Sequence, residues 1–391
     1  MMIESIQRRF DIPATIVHGA GCRRLIAYLV REVGGSAVLL VTDPGVVHLG
    51  VADEISQTLA QAGIRVAVFD GVQPDPTDEN VVSGFAALQA HRADCIVAVG
   101  GGSPIDTAKV LAVRAANPQS LAEYMGLHRI QNAGLPLIAV PTTAGTGSEA
   151  SKVAVITDTA RNVKMMMLSV PLMPRVAVVD FELTLSMPRS LTAAVGVDTL
   201  THGIEAYVSR KANALTDPLA LQCIELCAAH LRTAWKEPDN RVAREGMMLA
   251  ATLGGMAFSN SSVCLVHGMS RPIGAVFHLP HGLSNAILLP TVTRFSIDAA
   301  PERYARIART VGCADNATNN IEACARLVDW LERLNDDLQL PRLSACNAVT
   351  RVVFDAQVKK MAQDALASGS PANNPRIPSA EDIVSLYEDA W

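Results

Sequence analysis

The stretch D-C-I-V-A-V-G-G-G-S-P-I-D-T-A-K, Asp94 to Lys109, decides the fold. Its opening is a short β-branched run, and the glycines that follow, Gly100 to Gly102, leave backbone N–H groups uncovered. A helix beginning near Ser103 or Pro104 points the positive end of its dipole at that turn. Strand, glycine turn and helix in this order make one βα unit of a parallel sheet, and the turn suits a pyrophosphate. It is neither G-x-G-x-x-G nor a Walker loop, because the lysine lies too far downstream and lacks its flanking Gly and Ser/Thr. Taken alone, the motif also fits a tight turn that binds nothing.

Outward from this unit the same grammar repeats. Further strands are expected at 37 to 42 (A-V-L-L-V-T), 65 to 69 (R-V-A-V-F), 135 to 140 (L-P-L-I-A-V) and 175 to 179 (R-V-A-V-V), with amphipathic helices between them. V-A-D-E-I-S-Q-T-L-A-Q-A is such a helix, closed by Gly63. After S-M-P-R-S, residues 186 to 190, the strand signal stops and Ala- and Leu-rich helical segments continue to Trp391. The expected organisation is an α/β dinucleotide-binding domain with a parallel, Rossmann-like sheet over 1–187, then an all-helical domain over 188–391.

Composition agrees with a packed globular chain: 49% of the 391 residues are hydrophobic and 18% charged. A net charge of -5 with scattered basic residues argues against nucleic-acid binding. The apolar runs are too short and too interrupted to span a bilayer, and M-M-I-E-S-I-Q-R-R-F lacks the apolar core of a signal peptide. The expected location is the cytoplasm. Eight cysteines without a C-x-x-C pair or framework spacing read as reduced core thiols, including Cys223 and Cys227, one helical turn apart in an apolar run.

Ligands of such sheets bind beyond the carboxyl ends of the strands. There P-T-T-A-G-T-G-S-E, Pro141 to Glu149, offers the hydroxyls of Thr142, Thr143, Thr146 and Ser148 to phosphate, ribose or nicotinamide amide. Asp43 follows the 37–42 strand; it would accept from ribose hydroxyls and repel a 2'-phosphate, favouring NAD over NADP, or else form an Asx-turn before Pro44. In the second half, Asp198 and His202 of G-V-D-T-L-T-H-G-I-E-A-Y share a helix face at i, i+4. His267 and His281 in L-V-H-G-M-S-R-P-I-G-A-V-F-H-L-P-H-G complete a mixed oxygen and nitrogen set that suits Fe(II), Zn(II), Mn(II) or Co(II). His278, among apolar residues before a turn, reads as a bystander.

These motifs, in this order and followed by N-A-I-L-L-P (285 to 290), resemble the iron-containing, group III alcohol dehydrogenases over nearly the whole chain, from I-V-H-G-A-G to N-P-R at 374 to 376. The resemblance implies a dehydroquinate synthase-like architecture, a metal in the cleft between the two domains, and NAD-linked hydride transfer on a short alcohol or aldehyde. Carried onto matching positions, the ligands are Asp198, His202, His267 and His281, and the cofactor contacts are Asp43, Gly101, Gly102, Ser103, Asp106, Thr142, Thr143, Lys164 and Leu183. The family's usual D-P after the 175–179 strand is D-F here. Members are commonly homodimers or larger. Rival readings are a glycerol dehydrogenase-like or maleylacetate reductase-like enzyme, or a non-catalytic nucleotide-binding protein whose histidines are structural.

The informative departure is Arg271, where many members keep a second histidine four residues after the third ligand. Arginine stays protonated and cannot relay a proton. Two readings stay open: it holds an anionic group of the substrate, or it forms a structural ion pair or touches the cofactor.

Overall fold

A computed structural model describes residues 9–161 and 163–391 of the chain. The expectation for the N-terminal stretch Met1 to Phe10 falls mostly outside them. The chain runs through β1 (Thr15–His18), β2 (Ala37–Val41), β3 (Arg65–Phe69), β4 (Cys95–Gly100), β5 (Gly126–Leu127), β6 (Leu137–Pro141), β7 (Val153–Asp158), β8 (Val163–Leu168) and β9 (Val176–Val179). Six strands form one parallel sheet in the order β1-β9-β6-β4-β2-β3. β2, β4 and β6 are buried along their whole length, as strands covered on both faces must be. Their side chains alternate between two cores: Leu39, Val41, Ile96 and Ala98 on one face, Val38, Leu40, Val97 and Val99 on the other.

From β2 the chain steps outward to β3 and then returns to β4 on the other side of β2. That reversal is a topological switch point, and it opens a crevice beyond the carboxyl ends of β2 and β4. The helix rising from β4, α1 (Gly102–Arg114), begins one residue earlier than the sequence implies and has no side-chain cap, so its first N–H groups face the crevice.

The second sheet was not anticipated: β7 and β8 are antiparallel, with β5 alongside β8. The β7 segment alternates buried and half-buried residues, but V-K-M-M-M-L has a single β-branched residue, Val163, to advertise a strand.

From Arg189 onward every regular element among the described residues is helical. The site depends on four of them: α2 (Arg189–Val208), α3 (Arg241–Ser261), α4 (Leu265–Phe277) and α5 (His281–Ser296). α2 begins directly after Pro188, whose fixed φ suits the helix entry. Between α3 and α4 the chain turns by 103°, with Ser262 at φ 81°, and this bend swings α4 across α2. No single helix among the described residues is long and apolar enough to cross a membrane. All eight cysteines are unpaired.

The halves meet closely. A Cβ on Gly255 of α3 would lie 2.4 Å from the Gly147 carbonyl oxygen, so both backbones need glycine there. Thr252 donates to Glu149 at 2.7 Å, and Lys152 bridges Asp11 and Asn260.

Candidate metal and cofactor site

Three loops converge at the switch point. Gly100, at φ 152°, comes so near Asp43 that a Cβ there would sit 3.2 Å from Asp43 Oδ2 and 2.5 Å from the Pro104 ring. Cβ atoms on Gly101 and Gly102 would meet Thr143 Oγ1 at 3.4 Å and Thr146 Cγ2 at 3.1 Å. Asp43, Gly101, Gly102, Ser103, Thr142 and Thr143 therefore share one crevice, whose binding groups are largely backbone. Asp43 caps the short helix Pro44–His48 by accepting from Val46 N at 3.0 Å, so the Asx-type role and exposure to the crevice coexist.

Other expected cofactor contacts lie deeper or further out. The Asp106 carboxylate accepts from Ser148 Oγ at 2.6 Å and Val155 N at 2.9 Å, tying α1 to β7. Beside it Lys109, fully buried, donates to Ser148, Ser151 and the Val153 carbonyl. Burial brings the Lys109 ammonium down to about 8 against the opposing pull of Asp106 and Glu149. Ser148 is thus occupied inside the fold and turns no hydroxyl to the crevice. Leu183 is packed in the core on one face of the sheet. Lys164, on β8, pairs with exposed Asp75 at 2.6 Å, and its Nζ lies 3.9 Å from where a Cβ on Gly274 of α4 would be.

The helical wall begins where the crevice ends, since Thr199 on α2 donates to the Ala144 and Gly145 carbonyls of the β6 loop. Its neighbour Asp198 is buried, as are His202 and His267; His281, first residue of α5, is exposed on the cleft side. Single donor atoms of Asp198, His267 and His281 lie within 4.8 Å of one another. His267 Nε2 is 3.5 Å and His202 Nε2 3.9 Å from Asp198 Oδ1. His202 is stacked between Phe258 and His267, with ring centroids 4.4 and 4.6 Å apart. His278 caps the end of α4, exposed and outside the cluster.

Two members of this cluster went unremarked in the sequence. Glu205 accepts from His267 Nδ1 at 2.7 Å and from the backbone N–H groups of Cys264 and Val266, so it caps α4 and leaves the His267 Nε2 lone pair facing Asp198. Its signal was available: Asp198, His202 and Glu205 fall at i, i+4 and i+7 on α2. Asn285, one turn beyond His281, places Nδ2 2.6 Å from Asp198 Oδ1 and 3.2 Å from both His267 Nε2 and His281 Nε2, while its buried Oδ1 has no partner.

The residues fit a divalent cation. An amide nitrogen has two hydrogens and cannot serve three acceptors, yet Asn285 Nδ2 stands where a carboxylate and two imidazoles converge. Donors on one four-coordinate metal with bonds of about 2.1 Å lie roughly 3.4 Å apart, close to the 3.5 and 3.9 Å found here. Burial and the opposing charges set the protonation of the cluster. Burial works to raise Asp198, but the three imidazoles prevail and hold it well below the usual carboxylate range. Burial brings His202 down to about 4 although Asp198 opposes. His267 is raised: burial pulls it down, and its bonds to Asp198 and Glu205 outweigh that.

Arg271, one turn after His267, is half-buried and donates from Nη1 to Ser370 Oγ at 2.9 Å.

Comparison with known proteins supports the same picture. The family model for iron-containing alcohol dehydrogenase matches residues 13–181, and that for the C-terminal region of the same family matches residues 192–391. The chain is 37% identical over 388 residues to the 1,3-propanediol dehydrogenase of Klebsiella pneumoniae, covering 98% of this chain and 99% of the relative. It is 35% identical over 381 residues to the NAD-dependent methanol dehydrogenase of Bacillus methanolicus, covering 97% and 99%. The crystal structure of a 1,3-propanediol oxidoreductase superposes with a TM-score of 0.95 at 36% identity, covering 99% of this chain and 100% of that one.

Proposed function

The chain belongs to the iron-containing alcohol dehydrogenase family, and from that premise we propose how its residues divide the work of an NAD-dependent alcohol dehydrogenase or aldehyde reductase. Asp198, His202, His267 and His281 are the metal ligands, and iron(II) is the resident ion. The uncovered N–H groups at Gly101, Gly102 and Ser103 take the pyrophosphate of NAD. Thr142 and Thr143 bind its polar groups, and Asp43 accepts from ribose hydroxyls, favouring NAD over NADP. Asp106, Lys164 and Leu183 complete this cofactor wall, Asp106 by holding the β6 loop through Ser148 and Leu183 as packing beneath it. A homodimeric, cytoplasmic enzyme is part of the same reading, resting on family membership.

A bound divalent ion supplies Lewis acidity, which lowers the pKa of an alcohol and polarises an aldehyde carbonyl. The chain supplies the rest. Glu205 fixes the His267 tautomer so that Nε2 is free to ligate. Burial keeps His202 neutral at working pH, and the hydrogen bond from His267 helps keep Asp198 ionised. The packing of the β6 loop on α2 sets the crevice beside the cluster, so that a nicotinamide bound there would be oriented for hydride transfer and screened from water. Arg271 keeps its charge throughout and relays no proton.

The observation that carries the reading is the convergence of Asp198, His267 and His281 on one point at the cleft. The test is metal analysis of protein purified without chelator, then reconstitution of stripped protein with Fe(II), Zn(II) or Mn(II) and an aldehyde panel followed at the NADH band. Fe(II) is expected to restore the highest rate. Protein that holds no metal and consumes no NADH with any aldehyde would sink the reading in favour of a non-catalytic nucleotide binder.

A further inference from the structure

The feature left over from the site is the Arg271 guanidinium. It carries five N–H donors, and its hydrogen bond runs to one neutral hydroxyl, Ser370 Oγ. Other screened arginines in this protein are treated differently. Arg23 is held by Glu54, Asp180 and Glu182, and buried Arg244 is satisfied by Thr192 and the carbonyls of Pro238 and Met187. The acid whose charge acts on Arg271 is Glu205, already committed to His267 and to two backbone N–H groups. Among the described residues, no carboxylate lies within ion-pair distance of Arg271.

The Arg271 guanidinium is screened from water and has no anionic partner among the described residues, which favours an anion beside it. Placement says where an offsetting anion would sit. His267, Arg271 and Gly274 occupy one face of α4 at i, i+4 and i+7, about 6 Å of axial rise separating the first two. Lys164 Nζ, reaching over from β8, approaches that face at Gly274 and is paired with an Asp75 that is 65% exposed. The α4 face that carries Arg271 therefore turns toward β8 at Gly274, and the guanidinium, held by Ser370, has a second cation about one turn further along that face.

We propose that the physiological substrate carries an oxyanion, a carboxylate, sulfonate or phosphonate, one to three carbons from the reacting carbon, and that Arg271 holds this group by a charge-assisted, bidentate contact. The inference rests on the oxidoreductase reading above. In the reductive direction NADH gives hydride to the carbonyl carbon, a proton from water reaches its oxygen, and the anionic group is unchanged. Ser370 orients the guanidinium and is a positioning residue.

The test uses metal-loaded enzyme with NADH. Steady-state rates for 4-oxobutanoate and sulfoacetaldehyde are compared with those for uncharged aldehydes of equal length, in the parent, Arg271→Gln and Arg271→Lys. In parallel, the dissociation constants of the unreactive anions succinate and ethanesulfonate are read from fluorescence of the enzyme–NADH complex, with metal content and melting temperature as checks on folding. The proposal expects at least a tenfold preference in kcat/KM for the anionic series, expressed chiefly in KM. That preference should collapse toward unity in Arg271→Gln and partly return in Arg271→Lys, with the anion dissociation constants moving in step. The relative strength of the carboxylate and sulfonate arms identifies the anion. Equal efficiency for charged and neutral aldehydes in the parent, or a preference that survives Arg271→Gln, overturns it. If neither series turns over, the oxidoreductase reading fails, and the dissociation constants alone decide: Arg271-dependent anion binding supports the anion site, and Arg271-independent binding overturns it.

Discussion

The crevice at the ends of β2, β4 and β6 and the cluster on α2, α4 and α5 face each other across one cleft but are made of different material. At Gly100 to Ser103 the groups offered to a ligand are backbone N–H, and what matters about the side chains is that they are small or absent. At Asp198, His267 and His281 the candidate donors are side chains, each from a different helix. A backbone-built surface is defined by local conformation and fails when that conformation is denied. A side-chain-built cluster is defined by helix packing and fails one donor at a time.

The sharpest way to break this contrast is a crossed pair of variants. His267→Ala is expected to lose metal and roughly a thousandfold in kcat/KM, the several kcal/mol a Lewis acid supplies, while NADH binding stays near the parent's. Gly100→Ala forces a φ of 152° on a residue with a Cβ and drives that Cβ into Pro104. It should weaken NADH binding by about tenfold or more and leave metal content intact. Calorimetric NADH titration and metal analysis of both variants decide the matter: if either change damages both properties equally, the surfaces are one unit.

A smaller effect tests whether Glu205 belongs to the cluster or is a helix cap alone. Glu205→Gln keeps an acceptor for backbone N–H but removes the charge behind His267, so metal affinity should fall about 10- to 100-fold in chelator competition. Unchanged affinity would make Glu205 a cap and nothing more.

The smallest effect concerns the sheet under the crevice. Asp94, at the amino end of β4, accepts from Ser36 Oγ and from the Ser36 and Ala37 N–H groups, pinning β2 to β4. Burial acts to raise its pKa, but these bonds prevail and lower it. A depressed carboxyl stabilises the fold above its unfolded pKa, and that contribution is lost as pH falls through the folded value. Asp94→Asn should therefore cost about 1 kcal/mol at neutral pH in urea melts. The gap from the parent should close as pH drops below the usual carboxylate range. A gap that is constant with pH would mean shape, not charge, holds the strands.

Much of the α/β half was legible because its signals are local. Arg65–Phe69 was anticipated to the residue, the 94–99 strand lies within one residue of β4, and α1 starts one residue before the expected Ser103. The β7–β8 hairpin was not, because its second strand is methionine-rich and depends on a partner for its conformation. In the helical half, the candidate donors Asp198, His202, His267 and His281 could be read, and the i, i+4, i+7 spacing on α2 offered Glu205 although it went unremarked, but Asn285 could not be told from an ordinary helix residue. Ser148 shows the opposite failure: a hydroxyl in a promising loop turned inward to Asp106 and Lys109.

By itself, the sequence determined the alternation of strand and helix in the main sheet, the glycine turns and the candidate donors, because φ/ψ preference and hydrophobic period act over a few neighbours. Only the tertiary structure decided that donors on α2, α4 and α5 share one point, and that Arg271 finds a serine where other screened arginines find acids or carbonyls. Those are matters of non-local packing: which partner a buried charge meets depends on how distant helices cross, and no short stretch of chain encodes that.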